Sequence, residues 1–147
     1  MLDKQEYAAA VNFIRDEILK GAEDQALAGE YLEAANTCLE HADNLMKIGD
    51  FSGAATLFKT VRDGYPKAPV LQQRVTLTRM QIADQLDTCA EKLMEAGLVA
   101  YRAEKFTKSI DFWQQILVFN PHHQAALGAV ETTRQQMSRL KTLKDKE

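Results

Sequence analysis

The chain has 147 residues, 46% of them hydrophobic and 27% charged, with a net charge of −3. That is an ordinary globular composition, long enough to bury a core. Acids and bases are interspersed, and no basic stripe with interleaved aromatics occurs, so nucleic-acid binding is not expected. No apolar run approaches the roughly 18 residues a membrane helix needs, so no membrane insertion is expected either.

The N-terminus, from Met1 to Tyr7, lacks a charged stretch followed by an apolar one, so it does not read as a signal peptide. The chain reads as cytoplasmic or as a segment excised from something longer.

In chain order, the first predicted helix covers about 3–20. Its stripe is Tyr7, Val11, Ile14 and Ile18, three and four residues apart, and Gly21 ends it. The second runs from an Asp24 N-cap to Ile48, with a stripe at Leu27, Tyr31, Ala35, Cys38, Ala42 and Leu45 and Gly49 as its stop. Asp50 opens a short helix to Arg62, stopped by Gly64-Tyr65-Pro66.

Pro69 suits the first turn of the next helix, where its missing N–H costs nothing. The stripe then passes through Leu71, Val75, Ile82, Leu86, Cys89, Leu93, Ala96 and Ala100 with no further proline. It favours one long helix over 69–103 rather than two collinear ones meeting near Asp87-Thr88. A helix from Phe106 to Phe119 stops at Asn120-Pro121. The last helix spans 122–144, with Ala126, Val130, Thr133, Met137 and Leu140 as its stripe. Strand signals are nearly absent, so the expected fold class is all-α.

One segment appears twice. Phe51, Ala54, Ala55, Phe58, Val61 and Pro66 match Phe106, Ser109, Ile110, Trp113, Ile116 and Pro121, each pair 55 residues apart. A partial copy, Tyr7, Ala10, Val11 and Ile14, precedes the first by 44. Repetition at a fixed spacing signals stacked helical units.

These residues resemble the tetratricopeptide repeat family. The clearest match is Leu93, Gly97, Phe106, Ser109, Trp113, Ile116 and Pro121; the second is Cys38, Ala42, Leu45, Phe51, Ala54, Phe58, Val61 and Pro66. The resemblance implies one domain over 1–147: an all-α, helix–turn–helix solenoid with extended helices, about six or seven in antiparallel packing. Its units lie at about 35–68 and 90–123, with a partial unit at 3–20 and a capping helix at 122–144. Gly97 would sit where the two helices of a unit cross. The 55-residue spacing exceeds that family's 34-residue period by 21. The surplus falls near 24–34 and 69–89, so the first helices of the units are expected to be extended or preceded by an extra helix.

The resemblance also implies a concave groove lined by the first helix of each unit, taking a peptide or helix of another protein. The matching positions are Leu39, Asp43, Met46 and Lys47 in one unit and Met94, Leu98, Tyr101 and Arg102 in the other. Thr132, Gln135 and Gln136 of the last helix would join them. The basic and Asn clamp that some co-chaperone members use for C-terminal carboxylates is missing, because Leu39 and Asp43 stand at its positions.

The expected function is a non-enzymatic protein-interaction scaffold. The alternative is a homo-oligomerisation module built on the long helix over 69–103 through Leu71, Val75, Ile82 and Leu86; a third is a helical metal protein or enzyme. No catalytic constellation, phosphate loop or metal-ligand spacing appears, so no catalytic residue, metal or cofactor is expected. His122 and His123 read as a solvated helix start, His41 as a surface residue, and Cys38 and Cys89 as buried thiols. Whether those thiols lie close enough for a disulfide is open.

Overall fold

The computed structural model describes residues 4–19 and 25–146. They form seven helices and no strand: α1 (Lys4–Leu19), α2 (Gln25–Lys47), α3 (Phe51–Asp63), α4 (Pro69–Gln72), α5 (Arg79–Arg102), α6 (Phe106–Phe119) and α7 (Gln124–Asp145). The expected stop at Gly21 and cap at Asp24 lie outside the described residues. So do the side chains of Tyr7, Ile14, Ile18 and Leu27. The chain is all-α. Its contacts divide it into two compact units, Met1–Asp87 and Thr88–Glu147, with the division inside α5.

In the first unit, α1 packs on α2 and α3, and α2 packs on α3. The apolar positions recur every three or four residues, so each helix turns one stripe inward. Val11 of α1, Tyr31, Ala35, Cys38 and Ala42 of α2, and Ala54, Leu57, Phe58 and Val61 of α3 are all buried. Full burial of each large side chain contributes about 1.5–3 kcal/mol. The hydroxyl of Tyr31 donates to the carbonyl of Gly64 at the end of α3. That bond satisfies a buried phenol and a helix-end carbonyl together.

In the second unit, α6 packs on α7. Trp113 of α6 is buried against Gly97 of α5, and its indole Nε1 donates to the Met94 carbonyl at 3.3 Å. A Cβ at position 97 would stand 2.7 Å from the indole Cδ1 and closer still to Cε2 and Nε1. The Phe106 ring meets Tyr101 edge to face, 5.2 Å between centroids. Ala126, Val130 and Thr133 of α7 are buried. The same stripe continues to Met137 and Leu140, which are exposed, so only the first half of α7 is covered.

The repetition extends to individual backbone bonds. α2 ends at Lys47 and α5 at Arg102, and α3 and α6 start at Phe51 and Phe106. After α2, Gly49 is left-handed at φ 83°; after α5, Glu104 is left-handed at φ 60°. The amide of Asp50 donates to Leu45 and that of Gly49 to Met46. The amides of Lys105 and Glu104 donate to Ala100 and Tyr101 in the same way. This paired bonding is the Schellman motif, which satisfies two orphan carbonyls at a helix end.

The long helix expected over 69–103 is not formed. Instead, α4 ends at Gln72 and α5 begins at Arg79, while the chain runs on helically through Asp87 and Thr88. Side-chain hydrogen bonds hold the interruption. Asn36 Nδ2 donates to the Arg74 carbonyl at 3.0 Å, and the Thr76 amide donates to Asn36 Oδ1 at 2.9 Å. Tyr65 donates its hydroxyl to the Leu77 carbonyl at 3.0 Å.

Thr78 and Gln81 then start α5 with a capping box. The Gln81 amide donates to Thr78 Oγ1 at 3.1 Å, and the Thr78 amide to Gln81 Oε1 at 2.9 Å. The Arg79 guanidinium lies 5.2 Å from the centre of the Tyr65 ring, adding a cation–π contact.

Candidate functional site

The first unit contains an open groove of about 530 Å³. One wall is α2, whose residues Glu33, Asn36, Thr37, Glu40 and Asp43 recur at helical spacing on one face. The other side is formed by Thr76, Leu77 and Gln85. Leu39, Phe58 and Leu77 supply its apolar surface; the first two are buried and Leu77 half-buried.

The Thr76–Leu77 wall is irregular backbone, yet the Thr76 amide is bonded to Asn36 and the Leu77 carbonyl to Tyr65. A wall fixed in this way has little conformational freedom left to lose.

The charges around the groove have one sign. Glu33, Glu40 and Asp43 line it, all exposed, and no lysine or arginine does. Asp43 pairs with Lys47 at 3.0 Å, one turn further on, but both side chains are well exposed. Such a pair is worth little in water. Glu33 and Glu40 make no ion pair among the described residues.

Of the residues expected to form the partner site, Leu39 and Asp43 line this groove. Met46 is half-buried and Lys47 exposed at the C-terminal end of α2. The other four lie on the last turns of α5, in the second unit. There Leu98 and Arg102 are exposed and Met94 half-buried. Tyr101 is half-buried, with its ring engaged by Phe106 and Trp113. On α7, Thr132 and Gln135 are exposed and Gln136 half-buried.

The residues expected to bind a second copy are placed differently. Val75, Ile82 and Leu86 are buried within the chain itself, and Leu71 is half-buried. Val75, Ile82 and Leu86 therefore belong to the core, and Leu71 lies partly outside it.

Glu33, Asn36, Glu40, Thr76, Leu77 and Gln85 were not legible as site residues. A signal was present. Thr78-Arg79-Met80-Gln81 has the spacing of a capping box, which marks a helix start at 79 and hence a non-helical wall before it.

The remaining chemistry-bearing side chains have structural places. His123 caps α7, its Nδ1 accepting from the Ala126 amide at 3.1 Å, so it is bonded into the helix start. His122 is exposed and His41 half-buried. Cys38 and Cys89 are free, buried thiols, and burial pushes each up to about 11. Partial burial opposes ionisation of Asp63. Hydrogen bonds from Lys59 and Arg62 outweigh it and hold the carboxyl below its usual range.

No family profile, no curated protein and no solved structure matches the chain. Among the described residues, no helix is long and apolar enough to cross a membrane.

Proposed function

We propose that this chain is a tetratricopeptide-like scaffold that binds a segment of a partner protein without catalysing a reaction. The observation that carries the reading is the groove beside α2, whose irregular wall is held open by Asn36 and Tyr65. A pre-shaped groove with an apolar floor and a polar rim is what a peptide-binding module requires. Support for the repeat assignment comes from the Schellman turns after Lys47 and Arg102 and from the seating of Trp113 on Gly97.

A random peptide array probed with the purified chain tests the reading. Discrete peptides should bind, and Thr76→Trp, which places a large ring at the mouth of the groove, should abolish their binding. Asn36→Ala should weaken it about tenfold by loosening the wall. Retention of the same peptides by Thr76→Trp, with helical content unchanged, would overturn the groove.

A further inference from the structure

We infer that the occupant of the groove is a cationic–apolar peptide segment: a large apolar side chain flanked on both sides by lysine or arginine. This deepens the partner-binding reading above and rests on it. The argument is charge complementarity around an apolar floor. Half-buried Leu77, backed by the buried Leu39 and Phe58, offers a surface for one apolar side chain.

The rim carries Glu33 at one end and the pair Glu40 and Asp43 at the other, with no basic residue among the lining side chains. At 1.5 Å rise per residue, Glu33 and Glu40 stand about 10 Å apart along α2, and Glu33 and Asp43 about 15 Å. An extended peptide puts residues i, i+2 and i+4 on one face, with about 13 Å between the outer two. A Lys-x-Leu-x-Arg arrangement therefore sets its leucine over the floor and its cations against the two anionic ends.

Among the described residues, neither Glu33 nor Glu40 is paired with a cation. A ligand cation thus gains a contact without displacing an internal partner. Oriented charges of this kind set register and speed encounter more than they add raw affinity. The polar amides of Asn36 and Gln85 and the hydroxyl of Thr37 lie along the same groove. Asn36 is already committed on both its oxygen and its nitrogen. Gln85 is then the side chain placed to meet the backbone of the bound segment.

The test uses fluorescein-labelled nonapeptides and fluorescence anisotropy at 50 and 300 mM NaCl. One peptide carries Lys-x-Leu-x-Arg; a second replaces both cations with glutamate; a third keeps the cations and replaces leucine with glycine. The first should bind at least tenfold more tightly than either of the others. Its affinity should fall as salt rises, since exposed charges are screened. Glu33→Gln combined with Glu40→Gln should weaken it at least tenfold and remove most of the salt dependence. Both positions are exposed, and circular dichroism checks that the variant remains folded.

Equal binding of the glutamate peptide, or of the glycine peptide, overturns the inference; so does failure of the first peptide to bind. A random dodecapeptide display library separates the two levels of the argument. Enrichment of acidic or neutral peptides that Thr76→Trp no longer holds would sink the cationic occupant and leave the groove standing. No enrichment at all would sink both.

Discussion

Trp113 packs its indole on the bare Cα of Gly97, leaving no room for a methyl group between α5 and α6. The counterparts 55 residues earlier are Phe58 and Ala42, both buried. The larger ring occurs in the copy that has the smaller residue at the corresponding position. In a close-packed interior a larger ring needs a smaller neighbour, which is what Gly97 gives Trp113.

Gly97→Ala should destabilise the second unit by about 1–3 kcal/mol, because the added methyl must push the indole off its seat. Adding Trp113→Phe should recover part of that loss, because the smaller ring leaves room for the added methyl. Urea unfolding of both single variants and the double variant measures the coupling. Losses that simply add would show that the two sites do not share one space.

The two turns after α2 and α5 make a second comparison. Gly49 adopts its left-handed conformation freely, whereas Glu104 does so against its Cβ. Glu104→Gly should raise stability by about 1 kcal/mol, and Gly49→Ala should lower it by a similar amount. Thermal unfolding of the two variants decides the matter. A destabilised Glu104→Gly would show that the flexibility it adds to the unfolded chain outweighs the strain it relieves.

Asn36 joins α2 to a segment nearly forty residues away in sequence. Asn36→Ala removes a donor and an acceptor at once and should cost about 1–3 kcal/mol. The amide of Thr76 should then exchange with solvent much faster, while amides in the middle of α3 keep their protection. Asn36→Asp retains the acceptor and loses the donor, so its effect should fall between the two. Unchanged exchange at Thr76 in Asn36→Ala would mean that Tyr65 alone holds the wall.

Cys38 and Cys89 predict an alkaline limit to stability. Burial raises both thiols to about 11, above the unfolded value of about 8.5. Folding thus favours the neutral thiols. Their contribution is full below pH 8.5 and is lost as pH rises toward 11. The urea midpoint should hold steady from pH 7 to 8.5 and then fall, and Cys38→Ala with Cys89→Ala should flatten that fall. At pH 8, neither thiol in the native chain should react readily with a disulfide reagent.

Asp63 acts at the other end of the scale. Its carboxyl is held below the usual range, so its contribution is present above pH 4 and lost as pH drops through the lowered value. Asp63→Asn should flatten the acid limb.

The helices around the repeated segment were legible because their signals are local. Phe106 to Phe119 coincides with α6, and the segment opened by Asp50 with α3, since Asp50 itself accepts from Gly53 at 2.9 Å and prolines follow both helices. The break before α5 was not legible from apolar periodicity. No glycine or proline lies between Gln72 and Arg79, and Val75, Ile82 and Leu86 continue the stripe across the gap. What ends the helix there is a set of hydrogen bonds from Asn36 and Tyr65, which a stripe of apolar residues does not encode. The groove was half legible for the same reason. Leu39 and Asp43 follow from position on α2, while the capping box marks the segment of Thr76 and Leu77 as non-helical and the bonds from Asn36 and Tyr65 place it.

That folded-back segment has a consequence for how the protein can change. Exchanging an exposed side chain on irregular backbone disturbs few contacts, whereas changing a buried one in a packed helix disturbs many. Residues 73–78 belong to no helix, yet they supply one bank of the groove. Substitution there alters that bank while α2 and α3 keep their packing, whereas an insertion would break the bonds from Asn36 and Tyr65. The exposed side chains at 73, 74, 76 and 78 can be exchanged while the backbone bonds that shape the stretch stay in place.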